Sequence, residues 1–382
     1  MDLMEYKAKE LFDRYQIPTM KGIVIDSVAE LNGQAEILNY PVVCKAQVQI
    51  GGRGKAGGIQ FAENSSQLPE VCSRIIGMDI RGHIVKKLLI VEKLEITKEM
   101  YLSIVLDRLT KGPIVIFCAQ GGMDIEEIAQ KTPDKILKIA IDPLIGINDY
   151  VARYCLSKSN LPGELFEPLF DLMKKLYQMF IEYDCMLAEI NPLVISANQQ
   201  VIALDGKVTI DDNAMSRQPE IVAYRDLMPE DKLILDARKS GLLYIPCDPE
   251  GNIAVMSNGS GMIMSCIDLI SKQGMKVCAA LDLGGGATSG KIQEAVRIIL
   301  ANPDVKALFI NIFGGITRCD EVASGVKLVT ESLVTDQQLI VRLEGTNKDQ
   351  GLAILASVPG RVISVDGLRE GVRELQAWRM KV

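Results

Sequence analysis

The residues best suited to chemistry in this chain begin at a lysine and run into glycines: Lys45-Ala46-Gln47-Val48-Gln49-Ile50-Gly51-Gly52-Arg53-Gly54-Lys55-Ala56-Gly57-Gly58. Glycines let backbone N–H groups approach an anion closely, and the fixed charges of Lys45, Arg53 and Lys55 would hold it there. The chemistry implied is polyphosphate binding. Gly52, Gly54 and Gly57 match G-x-G-x-x-G, but a dinucleotide fold needs a helix to open here. Gly58-Ile59-Gln60-Phe61-Ala62 instead reads as a second strand, which makes the loop a β-hairpin lid. A second glycine run, Gly285-Gly286-Ala287-Thr288-Ser289-Gly290-Lys291, fits G-x-x-x-x-G-K. Its next residue is Ile292, where a P-loop needs Ser or Thr for magnesium.

A second constellation lies at Ala188-Glu189-Ile190-Asn191-Pro192-Leu193 and Ala203-Leu204-Asp205-Gly206-Lys207, joined by the turn-like Ser196-Ala197-Asn198-Gln199-Gln200. With the turn centred on Asn198, Asn191 faces Asp205 and Glu189 faces Lys207. Strand alternation then puts all four on one face and Ala188, Ile190, Val194, Ile202 and Leu204 on the other. Asp plus Asn is a hard-oxygen pair suited to Mg2+, which completes its shell with phosphate and water. A plain surface salt bridge is the alternative. Glu92, Glu95 and Glu99 follow a strand at 88–91, where carboxylates could accept bonds from a ribose and an adenine amine; a solvated helix start reads equally from their spacing.

The elements that must position these residues follow from hydropathy. Met4, Ala8, Leu11, Phe12 and Tyr15 share a helical face, and Pro18 ends that helix. Strand-like runs follow at 22–25, 42–45, 59–62, 88–94, 101–106 and 114–119. A long helix spans 164–184, with Phe166, Phe170, Met173, Leu176 and Phe180 on its apolar side. Residues 214–250 read as a charged, proline-containing connector with some helix. Beyond it, apolar strands at 252–256, 277–283, 305–312, 339–343 and 362–365 alternate with amphipathic segments at 261–273, 290–302, 319–332, 348–357 and 368–378. That rhythm predicts a five-stranded parallel, flavodoxin-like sheet. Polar glycine turns at 258–261, 284–286, 314–317 and 345–347 lie at its strand ends, where such sheets bind ligands.

Composition narrows the function classes. The chain has 382 residues, enough for two or three domains, and is 48% hydrophobic. Its net charge is −7, without a basic block, which argues against nucleic acid. No apolar run approaches the ~18 residues of a membrane span. The N-terminus lacks a signal-peptide core. Nine cysteines without a C-x-x-C read as reduced thiols of a cytoplasmic protein.

Taken together, these residues resemble the β subunit of succinate–CoA ligase (succinyl-CoA synthetase). Glu5-Tyr6-Lys7-Ala8-Lys9-Glu10-Leu11-Phe12 is similar to that family's first helix. Gly51 to Gly58, Glu189 to Leu193, Leu204 to Lys207, Asn311-Ile312-Phe313-Gly314-Gly315 and Arg342-Leu343-Glu344-Gly345 match in order. The resemblance implies an N-terminal ATP-grasp fold over 1–230 and a flavodoxin-like ligase domain over 240–382 that contacts an α subunit. It puts Lys45 on the nucleotide phosphates and Gly52, Arg53 and Gly54 in the covering loop. Glu92, Glu95 (through its backbone) and Glu99 fall at nucleotide-contacting positions. Asn191 and Asp205 become ligands of one Mg2+ per subunit, and Glu189 the acid that meets a phosphohistidine. Asn258, Gly315, Ile316 and Thr317 fall at the succinate site.

The implied reaction interconverts ATP or GTP, succinate and CoA with succinyl-CoA, ADP or GDP, and phosphate. The phosphohistidine and the CoA site belong to the α subunit, in an αβ or (αβ)₂ assembly. The single histidine here, His83, sits in no motif and reads as structural or surface. Thr317 stands where valine is as frequent among relatives, and its hydroxyl suggests a hydroxylated dicarboxylate as an added substrate. A malate–CoA ligase β subunit, a P-loop NTPase using Gly285 to Lys291, and a non-catalytic nucleotide-binding scaffold are the competing readings.

Overall fold

In the computed structural model, all residues are described except Asn32, Ile37, Gly51, Gly52, Asp124, Pro229, Glu230, 333–336, 359–361, 381 and 382. Two compact units divide the chain, Met1–Leu227 and Met228–Val382.

The first unit holds two large antiparallel sheets and a two-stranded one, Asp79–Ile80 with His83–Ile84. One has the spatial order Gly22–Ile25, Leu88–Glu92, Val42–Ala46, Ile59–Ala62. Its inward residues Ile25, Val42, Cys44, Leu88 and Ile90 pack with Leu68, Val71, Cys72 and Ile75 of the helix Leu68–Ile75. Val42 pairs with Ala62 and Lys45 with Ile59, so the glycine-rich run is the connection of a hairpin and no helix opens from it. The larger sheet runs Val201–Ala203, Cys185–Ser196, Ile96–Asp107, Gly112–Cys118, Leu137–Ala140, with Gly206–Ile210 also pairing on Cys185–Ser196. Leu193 pairs with Ala203, and Glu189 with Lys207. The register expected from a turn centred on Asn198 is therefore the one found.

The long helix is Phe166–Glu182, and its buried stripe is Leu169, Leu172, Met173, Leu176 and Phe180. Phe166 and Phe170, expected on that stripe, stack on each other at its margin beneath Arg153 and Lys174. The segment after residue 92 is not a helix start: it becomes the strand Ile96–Asp107.

The first helix, Glu5–Arg14, packs against Gly206–Ile210. Gly206 is where the contact is tightest, since a Cβ there would stand 2.4 Å from Phe12 Cε2. Phe12 is fully buried and cannot turn away. Gly206→Ala is expected to destabilise the unit by about 2 kcal/mol, the typical cost of overpacking, read as a lowered urea midpoint.

The second unit has the spatial strand order Leu243–Pro246, Val277–Asp282, Ile253–Ser257, Ala307–Gly314, Gln338–Gly345, Val362–Val365. The last five are parallel in the flavodoxin-like order, with helices between them. The strand Leu243–Pro246 is an addition, antiparallel to Val277–Asp282. It falls in the stretch expected to be a connector. Only four residues long and ending in proline, it carries little periodicity, and proline is tolerated there because the strand is at the edge. Among the described residues no helix is long and apolar enough to cross a membrane.

Candidate functional site

The hairpin connection, the first helix and the carboxylate hairpin meet in the first unit around a cleft of about 380 Å³, within the range of small-molecule sites. Glu189, Asn191, Asp205 and Lys207 all line it, as do Arg53, Gly54 and Lys55 from the connection and Gly122 and Met123 from a facing loop. The connection turns tightly through Gly57 N to Gly54 O and Gly58 N to Arg53 O bonds. Gly57 takes a positive φ of 80° there, a conformation natural to glycine. Gly51 and Gly52, expected in the same loop, lie outside the described residues.

Arg53 organises the cleft. Its Nη1 donates to Glu5 Oε2 (2.8 Å) and to the Ala46 carbonyl (3.0 Å), and its Nη2 donates to both oxygens of Asp205 (3.1 and 2.8 Å). Lys45 Nζ donates to Glu5 Oε1 (2.8 Å) and to the Leu204 carbonyl (3.1 Å). Lys9 Nζ stands 3.5 Å from Glu5 Oε1 and, among the described residues, has no hydrogen-bond partner although buried. Burial alone would raise the Glu5 carboxyl, but Lys45, Arg53 and Lys9 outweigh it and hold it far below the usual carboxylate range. Burial would lower Lys45, yet the charges of Glu5 and Asp205 reverse this and raise it. Lys9 goes the other way, lowered by burial and by the neighbouring Lys45.

The polar face of the carboxylate hairpin splits in two. Asn191 is gripped by the facing loop, its Oδ1 accepting from Gly122 N (2.9 Å) and its Nδ2 donating to Met123 O (3.1 Å). Glu189 accepts from the Tyr101 hydroxyl (3.0 Å). Burial raises its carboxyl, with the Tyr101 bond and Lys207 pulling against the rise. Asp205 and Asn191 together offer a carboxylate and an amide oxygen at one wall, a donor set that fits Mg2+. Among the described residues no group of three or more His, Cys, Asp or Glu is arranged for a metal. An ion here would thus draw most of its shell from phosphate oxygens and water.

The three glutamates do not gather in the cleft. Glu92 is half-buried at the end of its strand and accepts from Asn39 (2.6 Å). Glu95 is exposed, and its carbonyl accepts from Ala197 N. Glu99 comes nearest: its carboxylate lies against Gly122, a lining residue. His83 is exposed on a two-residue strand and is not among the lining residues.

In the second unit, Asn258 and residues 315–317 follow the carboxyl ends of Ile253–Ser257 and Ala307–Gly314. These strands are neighbours at the point where the strand order reverses, the place where such sheets take ligands. The Asn258 side chain bridges them, donating to Phe313 O (2.8 Å) and accepting from Phe313 N (3.1 Å). Gly315 and Ile316 are exposed, Ile316 at 85%. Thr317 differs from expectation. Its residue is 1% exposed, and its hydroxyl accepts from Gly286 N (3.0 Å) and faces the Gly284 carbonyl (3.4 Å). The hydroxyl fastens one glycine turn to another.

The P-loop reading fails at the same edge. Ser289 N, at the start of the helix Ser289–Leu300, donates to Glu321 Oε2 (2.7 Å), and Gly284 N donates to Asp282 (2.9 Å). Two backbone donors of the run, Gly286 N and Ser289 N, are held by Thr317 and Glu321, and Ile292, where Ser or Thr would be needed, is wholly buried.

Glu5, Lys9, Gln47 and Tyr101 stand at or beside the cleft but were given no role of their own by the motif reading, which took Glu5 and Lys9 only as part of the first helix and Gln47 only as part of the glycine-rich run. Glu5 and Lys9 stand one turn apart on the buried face of the first helix beside Ala8 and Phe12. A pair of charges on an apolar face was the available signal.

Residues 2–195 match the family described as ATP-grasp domain, and 256–371 the family described as CoA-ligase. The chain is 41% identical to the succinate–CoA ligase [ADP-forming] subunit beta of Desulfatibacillum aliphaticivorans, over 98% of this chain and 99% of that one. To the protein of the same name from Syntrophobacter fumaroxidans it is 42% identical, over 99% of each. Among solved structures, ATP citrate lyase from Methanothrix soehngenii, in complex with citrate and coenzyme A, has the same fold. Its TM-score is 0.78 at 22% identity, over 98% of this chain and 99% of that one. Identity of this extent, with both domains in order, makes the chain a member of the succinate–CoA ligase β-subunit family.

Proposed function

We propose that this chain is the nucleotide-activating subunit of an acid–thiol ligase. It interconverts nucleoside triphosphate, succinate and CoA with succinyl-CoA, nucleoside diphosphate and phosphate. The observation that carries the reading is that Arg53, Asn191, Asp205 and Glu189 line one cleft, with Lys45 buried behind it and joined to Arg53 through Glu5. Phosphoryl transfer needs positioning and charge neutralisation more than covalent chemistry, and this cleft supplies both. The relatives are named ADP-forming, which favours an adenine nucleotide.

Lys45 and Arg53 would bind the phosphates, with Gly54 and the neighbouring Gly52 in the covering loop. Asn191 and Asp205 would hold one Mg2+, which supplies charge neutralisation on the phosphoryl oxygens when bound. Glu189, its carboxyl raised by burial, would meet the imidazole that takes the phosphoryl group. That imidazole must come from an α subunit, because the only histidine of this chain is the exposed His83. The α subunit would also supply the CoA site, in an αβ or (αβ)₂ complex. Glu99 at the edge of the cleft, with Glu92 and the Glu95 backbone, is assigned to the nucleoside. Asn258, Gly315, Ile316 and the Thr317 backbone are assigned to the carboxylate. A cytoplasmic location belongs to the same proposal and is supported by nine free cysteines, all buried but Cys247.

Co-expression with a candidate α subunit, followed by incubation with γ-labelled ATP, tests this. Label is expected on an α-subunit histidine and discharged by succinate plus CoA. Acyl-CoA formation by the isolated chain at the rate of the complex overturns it. The buried Thr317 hydroxyl gives no support to a malate-specific enzyme. Thr317→Val is expected to leave the succinate-to-malate rate ratio within about twofold, while the lost Gly286 bond costs about 1 kcal/mol of stability.

A further inference from the structure

We infer that Glu5 is a positioning residue of the phosphate site: it aims Lys45 and Arg53 without itself meeting the nucleotide. The inference rests on the polyphosphate reading of the cleft and adds a residue to it.

Glu5 opens the first helix, yet its side chain is only 1% exposed. A carboxylate this buried is costly unless paired, and here both oxygens are engaged by cations, Oε1 by Lys45 and Lys9 and Oε2 by Arg53. The helix is anchored so that this geometry is reproducible. Leu3 N donates to Val208 O, and Gln47 Oε1 accepts from Tyr6 N. Glu5 is thus fixed from two directions, by the strand Gly206–Ile210 and by the strand that carries Lys45.

The division of labour on each cation is specific. Arg53 uses Nη1 for Glu5 and the Ala46 carbonyl, leaving Nη2 as its outward end, which here takes Asp205. Lys45 gives one proton to Glu5 and one to Leu204 O, and a third remains for an incoming acceptor. Three cations (Lys9, Lys45 and Arg53) face two carboxylates (Glu5 and Asp205). The cluster therefore holds one cation more than it has carboxylates, and among the described residues the buried Lys9 ammonium has only its ion pair with Glu5. Such a cluster favours an anion over a neutral group, and the donors left on Lys45 and on Arg53 Nη2 offer separate phosphates separate partners.

Calorimetric titration of the purified chain with ADP and with AMP, both with magnesium, tests the assignment. Glu5→Gln is expected to weaken ADP binding about 30-fold, as two charge-assisted contacts lose their aim, with AMP changed by no more than about threefold. Glu5→Gln combined with Lys9→Met removes one charge of each sign, so it should melt near the wild type and still lose ADP affinity. A folded double variant that binds ADP like the wild type overturns the inference. So does an equal loss for ADP and AMP, which marks a purely structural role. A wild-type chain that does not prefer ADP to AMP overturns the polyphosphate reading itself, and the inference with it.

Discussion

Lys45→Ala is expected to weaken binding of the nucleoside triphosphate about 100-fold, while Lys291→Ala leaves it within about twofold. The Lys45 ammonium is buried, and its charge is stabilised by Glu5 and Asp205. A desolvated cation offers a phosphate a stronger bond than one already hydrated. Loss of about 3 kcal/mol of binding corresponds to the stated factor. The substitution also breaks a buried pair, which costs about 3 kcal/mol of stability. Glu5 still keeps Arg53 and Lys9, so the cluster is not left with an unpaired carboxylate. Lys45→Met, which preserves the packing of the stem, should give the same binding loss at a smaller cost in stability. Lys291 fails as a rival because the donors around it are committed to Glu321, Asp282 and Thr317. Equilibrium titration with ATP distinguishes the two lysines directly, and a loss confined to Lys291→Ala would move the nucleotide to the second unit.

The fold was legible wherever one periodicity ruled a whole element. The parallel strands of the second unit are continuous apolar runs because both faces are covered, and their ends fall within about two residues of expectation. The carboxylate hairpin was legible to the residue, because alternation and turn length together leave one register that buries Ile190, Val194 and Ile202. What escaped was set by tertiary context. Leu243–Pro246 is a strand only because Val277–Asp282 offers it an edge. Phe166 and Phe170 share the helical period of the core but sit at its rim, where two cations cover them. The candidate site was legible in the residues that line its cleft and not in their support. Lys45, Arg53, Asn191 and Asp205 announce their chemistry by type and spacing. Glu5 lies 40 residues from Lys45 in sequence, and the two are brought together by the pairing of the N-terminal segment with Gly206–Ile210 and by the Tyr6–Gln47 bond. Thr317 shows the converse: its hydroxyl invited a substrate role, and the structure engages it with the glycine turn at Gly284 and Gly286.

Replacing Asn191 and Asp205 together by alanine is expected to abolish magnesium-dependent turnover of the assembled complex, by about 10³-fold or more. A metal contributes several kcal/mol of charge stabilisation in phosphoryl transfer, and about 4 kcal/mol gives that factor. The same change should act with opposite sign on metal-free binding. Both oxygens of Asp205 accept from Arg53 Nη2, so Asp205 would compete with a phosphate for that group. Its removal frees Nη2 while Glu5 and Ala46 keep Nη1 in place. Affinity for ADP in the presence of a chelator is therefore expected to hold or to rise severalfold, while the gain normally brought by magnesium disappears. A merely structural pair cannot produce this split, since general loosening of the cleft weakens binding with and without the ion. The single variants should not add, because both side chains serve one ion and removing either leaves it poorly held. Turnover against magnesium concentration, set beside ADP titrations with and without chelator, measures both halves. Metal-dependent turnover that survives the double substitution would remove the ion from this wall of the cleft.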